Sequence, residues 1–189
     1  MRIVAGTARG RPLVAPSGAA TRPTSDKVRG AVFNVLGQFF AGGAVLDLYS
    51  GSGALALEAL SRGCQRAVCV EEDPAAARAI ARNAAACGFG ERVEVLREPV
   101  ERALPRLGRG LFALAFLDPP YALGPEAALA LLPALLAPGA TAVAEHDRRR
   151  PPAASYGALA LADRRAYGDT GISIYRVPSH RLASQLARD

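Results

Sequence analysis

Between residues 44 and 145 the chain alternates between short apolar runs and stretches of helical spacing, and few architectures accept that pattern. The runs are "AVLDL" (44–48), "AVCVE" (67–71), "VEVL" (93–96), "FALAFLD" (112–118) and "ATAVAE" (140–145), with helical patterns at about 54–62, 74–87, 99–106 and 125–137. Strands apolar at nearly every position are covered on both faces, and strands separated by helices run parallel. The expectation is a three-layer α/β sandwich around a mostly parallel sheet. "ALALAD" (158–163) and "GISIYRV" (171–177) break the alternation: a polar turn containing Gly168 joins them without a helix. That predicts a C-terminal antiparallel hairpin completing a seven-stranded sheet.

Ahead of this core, Val28, Ala31, Val32, Val35, Leu36 and Phe39 fall at helical spacing, with Thr24 or Ser25 as N-cap and Gly42-Gly43 as the stop. Residues 1–23 are rich in Gly, Pro and Arg and carry short β-like pieces, "RIVAG" and "RPLVAP", which read as a small β-hairpin arm. The expected organisation is an arm over 1–23, one domain over 24–178 and a tail over 179–189.

Charge is unevenly placed. Residues 1–30 hold Arg2, Arg9, Arg11, Arg22, Lys27 and Arg29 against Asp26 alone, a net +5 of the chain's +6. Such an arm is either a solvated solubility aid or a surface for nucleic acid, where clustered arginines pair with phosphates and release counterions. Cys64, Cys69 and Cys87 are odd in number and lack Cys-x-x-Cys spacing, which suits reduced thiols in the cytoplasm rather than disulfides or zinc. With His146 and His180 the only histidines, no metal centre is expected. No apolar run reaches the length of a membrane span, and "MRIVAGTARG" lacks the apolar core of a signal peptide.

In parallel sheets ligands bind beyond the carboxyl ends of the strands. The first such end reads "LDLYSGSGALALEAL", a G-x-G-x-x-A turn on Gly51, Gly53 and Ala56. A phosphate-binding loop would want a basic residue here, but none occurs from Ala44 to Ser61, and Asp47 precedes the turn. An acid at this point favours a cationic ligand. Glu71, followed by Glu72, ends the second strand where ribose hydroxyls would lie, although it also reads as a helix N-terminal acid before Pro74. Glu98 follows the third strand, near where an adenine amine would sit. An ammonium, a sulfonium, a ribose and an adenine fit this series of carboxylates, and S-adenosylmethionine carries all four. Asp47, Tyr49, Ser50, Gly51, Gly53, Glu71, Glu72, Glu98 and Asp118 are the candidate cofactor contacts.

The fourth strand ends in "DPPY", Asp118 to Tyr121. Two prolines cannot continue a central strand, so the sheet stops at a set point. An exocyclic amine of adenine or guanine is a poor nucleophile because its lone pair is delocalised into the ring. Two acceptors taking its two hydrogens favour a pyramidal nitrogen and oppose the charge that develops during attack on a methyl group. The Asp118 carboxylate and the Pro119 carbonyl are those acceptors, Pro120 fixes the carbonyl's orientation, and Tyr121 offers a stacking face. No metal or covalent nucleophile is required.

Taken together, "RIVAGTARGRPL", "RPTSDKVRGAVFN", "DLYSGSGALALEALSRG", "VEED" and "DPPY" resemble the RsmD family of bacterial 16S ribosomal RNA guanine-N2 methyltransferases, in the family's order over residues 1 to 177. The glycine turn and "DPPY" are shared with many amino-methyltransferases, whereas the N-terminal blocks are more specific. The resemblance implies a class I S-adenosylmethionine-dependent (Rossmann-like) methyltransferase fold. Asp47, Gly51 and Gly53 would lie against the methionine part of the cofactor, Glu71 on its ribose, and Asp118 to Tyr121 at the target base. Arg2, Arg9, Arg11, Arg22, Thr24, Asp26, Lys27 and Arg29 would form the RNA-reading surface, with Arg22, Thr24, Asp26 and Arg29 covering the cofactor or gripping RNA near it. The implied substrate is 16S ribosomal RNA of an assembling small subunit, by resemblance at guanine 966, and the implied enzyme is a cytoplasmic monomer. Other readings are a DNA or other RNA amine methyltransferase acting on adenine N6, and a non-catalytic RNA-binding assembly factor. A nicotinamide oxidoreductase fits worst, given Asp47.

Overall fold

A computed structural model describes residues 1–16, 26–37 and 39–179, with the side chains of Asp26 and Lys27 outside that description. Its helices are α1 (Asp26–Leu36), α2 (Ala54–Ser61), α3 (Pro74–Ala86), α4 (Val100–Ala103) and α5 (Glu126–Leu131). Its strands are β1 (Ala44–Leu48), β2 (Arg66–Val70), β3 (Val93–Leu96), β4 (Phe112–Leu117), β5 (Leu136–Asp147), β6 (Ser155–Tyr156), β7 (Leu159–Tyr167) and β8 (Thr170–Arg176). They form one sheet in the order β3-β2-β1-β4-β5-β8-β7-β6. The first five strands pair in parallel and the remainder antiparallel. This is the expected three-layer α/β architecture with its closing hairpin, extended by the two-residue edge strand β6.

Alternation along the strands divides the interior into two cores. Val45, Cys69, Leu114, Phe116, Val143 and Ile174 face α1, α2 and α3, while Leu46, Val68, Phe112, Leu117 and Ala142 face α4 and α5. Every residue of β1 is buried, as a strand covered on both faces requires. The three cysteines are buried free thiols. Among the described residues no helix is long and apolar enough to cross a membrane.

Several boundaries differ from expectation. Helix α1 stops at Leu36 because Gly37 follows at φ 100°, a left-handed stop ahead of Gly42-Gly43. Phe39 therefore lies outside the helix and is 72% exposed, while Phe40 packs edge-on against Phe33. Helix α5 ends early because Pro133 turns Leu132–Ala134 into a 3-10 helix, as Pro105 does after α4. Strand β5 starts at Leu136, which pairs with Phe112 before the register shifts.

The N-terminal residues are bolted to the domain. Arg2 and Pro12 form an antiparallel bridge, and Ile3 and Leu13 enter the first core. Glu58 of α2, fully buried, accepts the Val4 N–H at 2.7 Å, the Ala5 N–H at 3.0 Å and the Arg62 Nε–H at 2.8 Å. Ser61 hydroxyl donates to the Ala5 carbonyl at 2.6 Å and accepts from the Ala8 N–H at 2.9 Å. Gly6, at φ 82°, lies so close that a Cβ would stand 1.9 Å from the Ser61 carbonyl oxygen. Asn83 of α3 accepts the Val14 N–H at 2.8 Å and donates to the Val14 carbonyl at 3.0 Å and the Ser52 carbonyl at 2.9 Å. Glu58→Ala removes the acceptor of two backbone amides and a buried guanidinium, so it should cost about 3–5 kcal/mol, with Glu58→Gln milder. Urea unfolding measures both, and a loss below about 1 kcal/mol for the alanine variant would rule out this role for Glu58.

Candidate active site

The parallel register aligns the carboxyl ends of four strands. Leu48 pairs with Val70 on one side and Leu117 on the other, and Leu117 pairs with Ala144. The next residues along that edge are Tyr49, Glu71, Asp118 and Glu145. Backbone contacts continue past the strands: the Ser50 N–H donates to the Val70 carbonyl at 3.2 Å and the Asp118 N–H to the Leu48 carbonyl at 3.4 Å.

Asp47 is 1% exposed, and its Oδ2 accepts the Ala56 N–H at 3.1 Å in the first turn of α2. Burial raises its carboxyl well above the usual range, opposed by that hydrogen bond, and the nearby Asp118 and Glu71 charges raise it further. The backbone then reverses through Tyr49 at φ 61°, Gly51 at φ 55° and Gly53 at φ 74°. Tyr49 is the sole non-glycine with positive φ among the described residues, a strained position of the kind found at functional sites. Its hydroxyl is pushed up to about 12 by burial and by the Glu101 carboxylate. A Cβ on Gly53 would meet Ile80 at 3.1 Å, whereas one on Gly51 would meet nothing within 4 Å. Gly53 thus serves packing, and Gly51 turns its backbone to open space.

Glu71 holds the turn. Its Oε2 accepts the Gly51 N–H at 2.8 Å and its Oε1 the Asp73 N–H at 2.9 Å. Asp73 caps α3, accepting the Ala76 N–H at 2.7 Å. Each oxygen of Glu71 keeps a lone pair for a further donor. Glu72 is exposed.

At the end of β4 the Pro120 carbonyl accepts the Leu123 N–H at 2.9 Å and the Gly124 N–H at 3.3 Å, which locks the turn. Among the described residues the Pro119 carbonyl takes no hydrogen bond. Tyr121 is half exposed, and its hydroxyl shares a 2.9 Å hydrogen bond with Thr170 at the start of β8, which sets the ring's orientation. Asp118 and Glu145 line one narrow pocket with Phe116, Val143 and Ile172. Glu145 also lines a wider cleft of about 200 Å³ with Pro119, Tyr121, Glu126 and Arg150.

Several expected contacts lie elsewhere. Ser50 is buried, and its hydroxyl donates to the Asp47 carbonyl at 2.5 Å, which braces the turn. Glu98 pairs with Arg106. Arg29 is 1% exposed and donates to the Arg2 carbonyl at 2.5 Å, so it ties α1 to the arm. Arg2, Arg9 and Arg11 are exposed on the arm. Arg22 and Thr24, and the side chains of Asp26 and Lys27, lie outside the described residues. Glu145 and Thr170 did not stand out by spacing; Asn83 could have been found as a polar residue on the apolar stripe of α3.

Sheet order, glycine turn and terminal acids define a class I S-adenosylmethionine-dependent methyltransferase fold. The solved RNA methyltransferase of Salinibacter ruber in complex with S-adenosyl-L-homocysteine shares that fold at 20% identity, with a TM-score of 0.64 over 82% of this chain and 94% of that one. The family model described as conserved hypothetical protein 95 matches residues 1–176, and the chain belongs to this family, the RsmD family. YlbH of Bacillus subtilis (strain 168) is 38% identical over 181 residues, 93% of this chain and 98% of YlbH. Ribosomal RNA small subunit methyltransferase D of Escherichia coli (strain K12) is 36% identical over 124 residues, 66% of this chain and 62% of that protein. The solved Escherichia coli protein yhhF matches with a TM-score of 0.81 at 30% identity, over 95% of this chain and 99% of that one.

The raised Asp47 carboxyl has a measurable consequence. The folded protein binds this proton more tightly than the unfolded chain, so the stabilisation is fully present below the unfolded value of 3.8 and is lost as pH rises through the raised folded value. Asp47→Asn keeps an acceptor for the Ala56 N–H and cannot titrate. The stability of the wild type relative to this variant should therefore fall as pH rises from 3.8. Denaturant unfolding across a pH series checks this, and a pH-independent difference would contradict it.

Proposed function

We propose that this chain transfers a methyl group from S-adenosylmethionine to the exocyclic N2 amine of a guanine in small-subunit ribosomal RNA. The observation that carries the reading is the row of acceptors at the end of β4 and β5: the Asp118 carboxylate, the Pro119 carbonyl and the Glu145 carboxylate. On its Watson–Crick edge guanine places the N1–H donor beside the N2 amine, whereas adenine places an acceptor beside its amine. Adjacent acidic side chains match the first edge and repel the second. The name of the Escherichia coli relative, a small-subunit ribosomal RNA methyltransferase, supports the same substrate. On this reading the substrate is 16S RNA of the assembling subunit, at guanine 966, and the enzyme works as a cytoplasmic monomer.

The site fits the cofactor through its chemistry. Asp47, desolvated and crowded by Glu71 and Asp118, gains from a cationic neighbour. Glu71 offers its remaining lone pairs to ribose hydroxyls, and Gly51 lets a ligand approach the backbone. When bound, S-adenosylmethionine supplies a methyl group on a sulfonium, which leaves as a neutral thioether. The chain's residues position the amine. Asp118 and the Pro119 carbonyl take its two hydrogens and direct the nitrogen lone pair away from the ring. Tyr121, oriented by Thr170, stacks on the base, worth about 1–3 kcal/mol. The base enters unstacked from its neighbours. As the N–CH₃ bond forms, the amine proton becomes acidic and passes to Asp118 or to water.

The test offers labelled S-adenosylmethionine with unmodified small subunits, naked 16S RNA and duplex DNA, and identifies the methylated nucleoside. N2-methylguanosine in ribosomal RNA is expected. Asp118→Ala should lower transfer by about 10²–10³ with cofactor affinity retained, and Glu145→Ala by about 10–100-fold through the lost N1–H acceptor. Label in DNA adenine, or no transfer to any substrate with cofactor still bound, would overturn the assignment.

A further inference from the structure

Resting on the RNA-methyltransferase reading, we infer that the turn Arg148-Arg149-Arg150 is a second RNA surface, which grips phosphates flanking the target nucleotide at the rim of the cleft. All three arginines are exposed and leave the carboxyl end of β5, three to five residues beyond Glu145. Arg150 lines the cleft that Pro119, Tyr121 and Glu145 share. A base entering that cleft carries its own phosphates over this rim.

The turn is a built platform. Arg148 N–H donates to the Asp169 carbonyl at 2.9 Å, Arg149 N–H to Asp147 Oδ1 at 2.8 Å and Arg150 N–H to the Asp147 carbonyl at 2.9 Å. Behind it, Pro151 and Pro152 stiffen the chain. Arg164 Nη2 donates to the Pro152 carbonyl at 2.6 Å and the Tyr175 hydroxyl to the Ala153 carbonyl at 2.7 Å. His146, buried one residue ahead of Asp147, spans the Asp147 carbonyl at 2.8 Å and Ser173 at 2.9 Å, and Ser173 also meets Arg164 at 3.0 Å. Gly171 makes room for that imidazole, since a Cβ there would stand 2.2 Å from it. The backbone under three long cationic side chains is therefore held before any ligand arrives, so binding has less order to impose.

The guanidinium groups are weakly engaged within the chain. Arg149 reaches Asp169 at 3.8 Å with both side chains more than three-quarters exposed, and Arg148 reaches the Gly168 carbonyl at 3.3 Å. Such contacts yield readily to phosphate, which guanidinium binds in a bidentate fork. Two of the acids here, Asp147 and Asp169, are turned to the loop's own backbone and to Arg149, while Glu126 and Glu145 line the cleft itself.

The experiment compares wild type, Arg148→Ala/Arg149→Ala/Arg150→Ala and the corresponding triple lysine variant for binding and methylation of naked 16S RNA at several salt concentrations. Expected for the alanine variant are a higher KM for RNA and a slope of log affinity against log salt reduced by about 2–3. Affinity for S-adenosylhomocysteine and the melting temperature should stay as in the wild type. The lysine variant should recover the salt slope and fall short on affinity, because ammonium lacks the fork. Wild-type salt slope and KM in the alanine variant would overturn the inference while wild-type methyl transfer left the functional reading standing. The converse, RNA affinity lost in the alanine variant with no methylation by the wild type, would support the surface and overturn that reading.

Discussion

Leu48 lies between Val70 and Leu117, in parallel register with both. A slip of one residue would turn Leu48 from one core to the other and carry Asp118 out of line with Glu145, since side chains alternate along a strand. Parallel pairing also makes all the strand ends coincide, so chemistry contributed by four separate stretches of chain gathers on one edge. The apolar strands are thus what places the acids.

Gathering carboxylates has an electrostatic cost that burial magnifies. Asp47 shows it most plainly: its environment is arranged against its own ionised form. The fold keeps its remaining acids tolerable by binding them to backbone N–H groups, Glu71 to Gly51 and Asp73, Asp73 to Ala76. The same device recurs far from the site, where Glu58 collects two arm amides and Arg62, whose guanidinium lies 4.6 Å over the Phe33 ring.

Much of this was legible in the residues. β1 and β3 run over the residues their apolar runs occupy, and for β1 the reason is that a doubly covered strand leaves little latitude. Asp118 and its prolines mark the end of β4 through their own backbone chemistry. What could not be read depends on distant chain. Arg29 looked like one more arm cation, and its burial exists only because Arg2 folds back onto α1. Ser50 belongs to the turn motif, but its hydroxyl is claimed by the strand ends it joins. Glu145 ends an apolar run like many exposed acids, and its importance comes from Ala144 pairing with Leu117. Helix α5 shortened at Pro133, a local signal that an apolar stretch had masked.

The Asn83 side chain grips Val14 by both its N–H and its carbonyl and reaches the Ser52 carbonyl with the same amide nitrogen. One rigid planar group therefore closes two interfaces, and its pose cannot suit one without suiting the other. On the proposed reading, substrate on the arm and cofactor on the glycine turn would each bear on this one residue. By reciprocity, whatever tightening the first imposes on the second is returned in equal measure. On the proposed reading, substrate docking and cofactor capture would share this one carboxamide as their hinge.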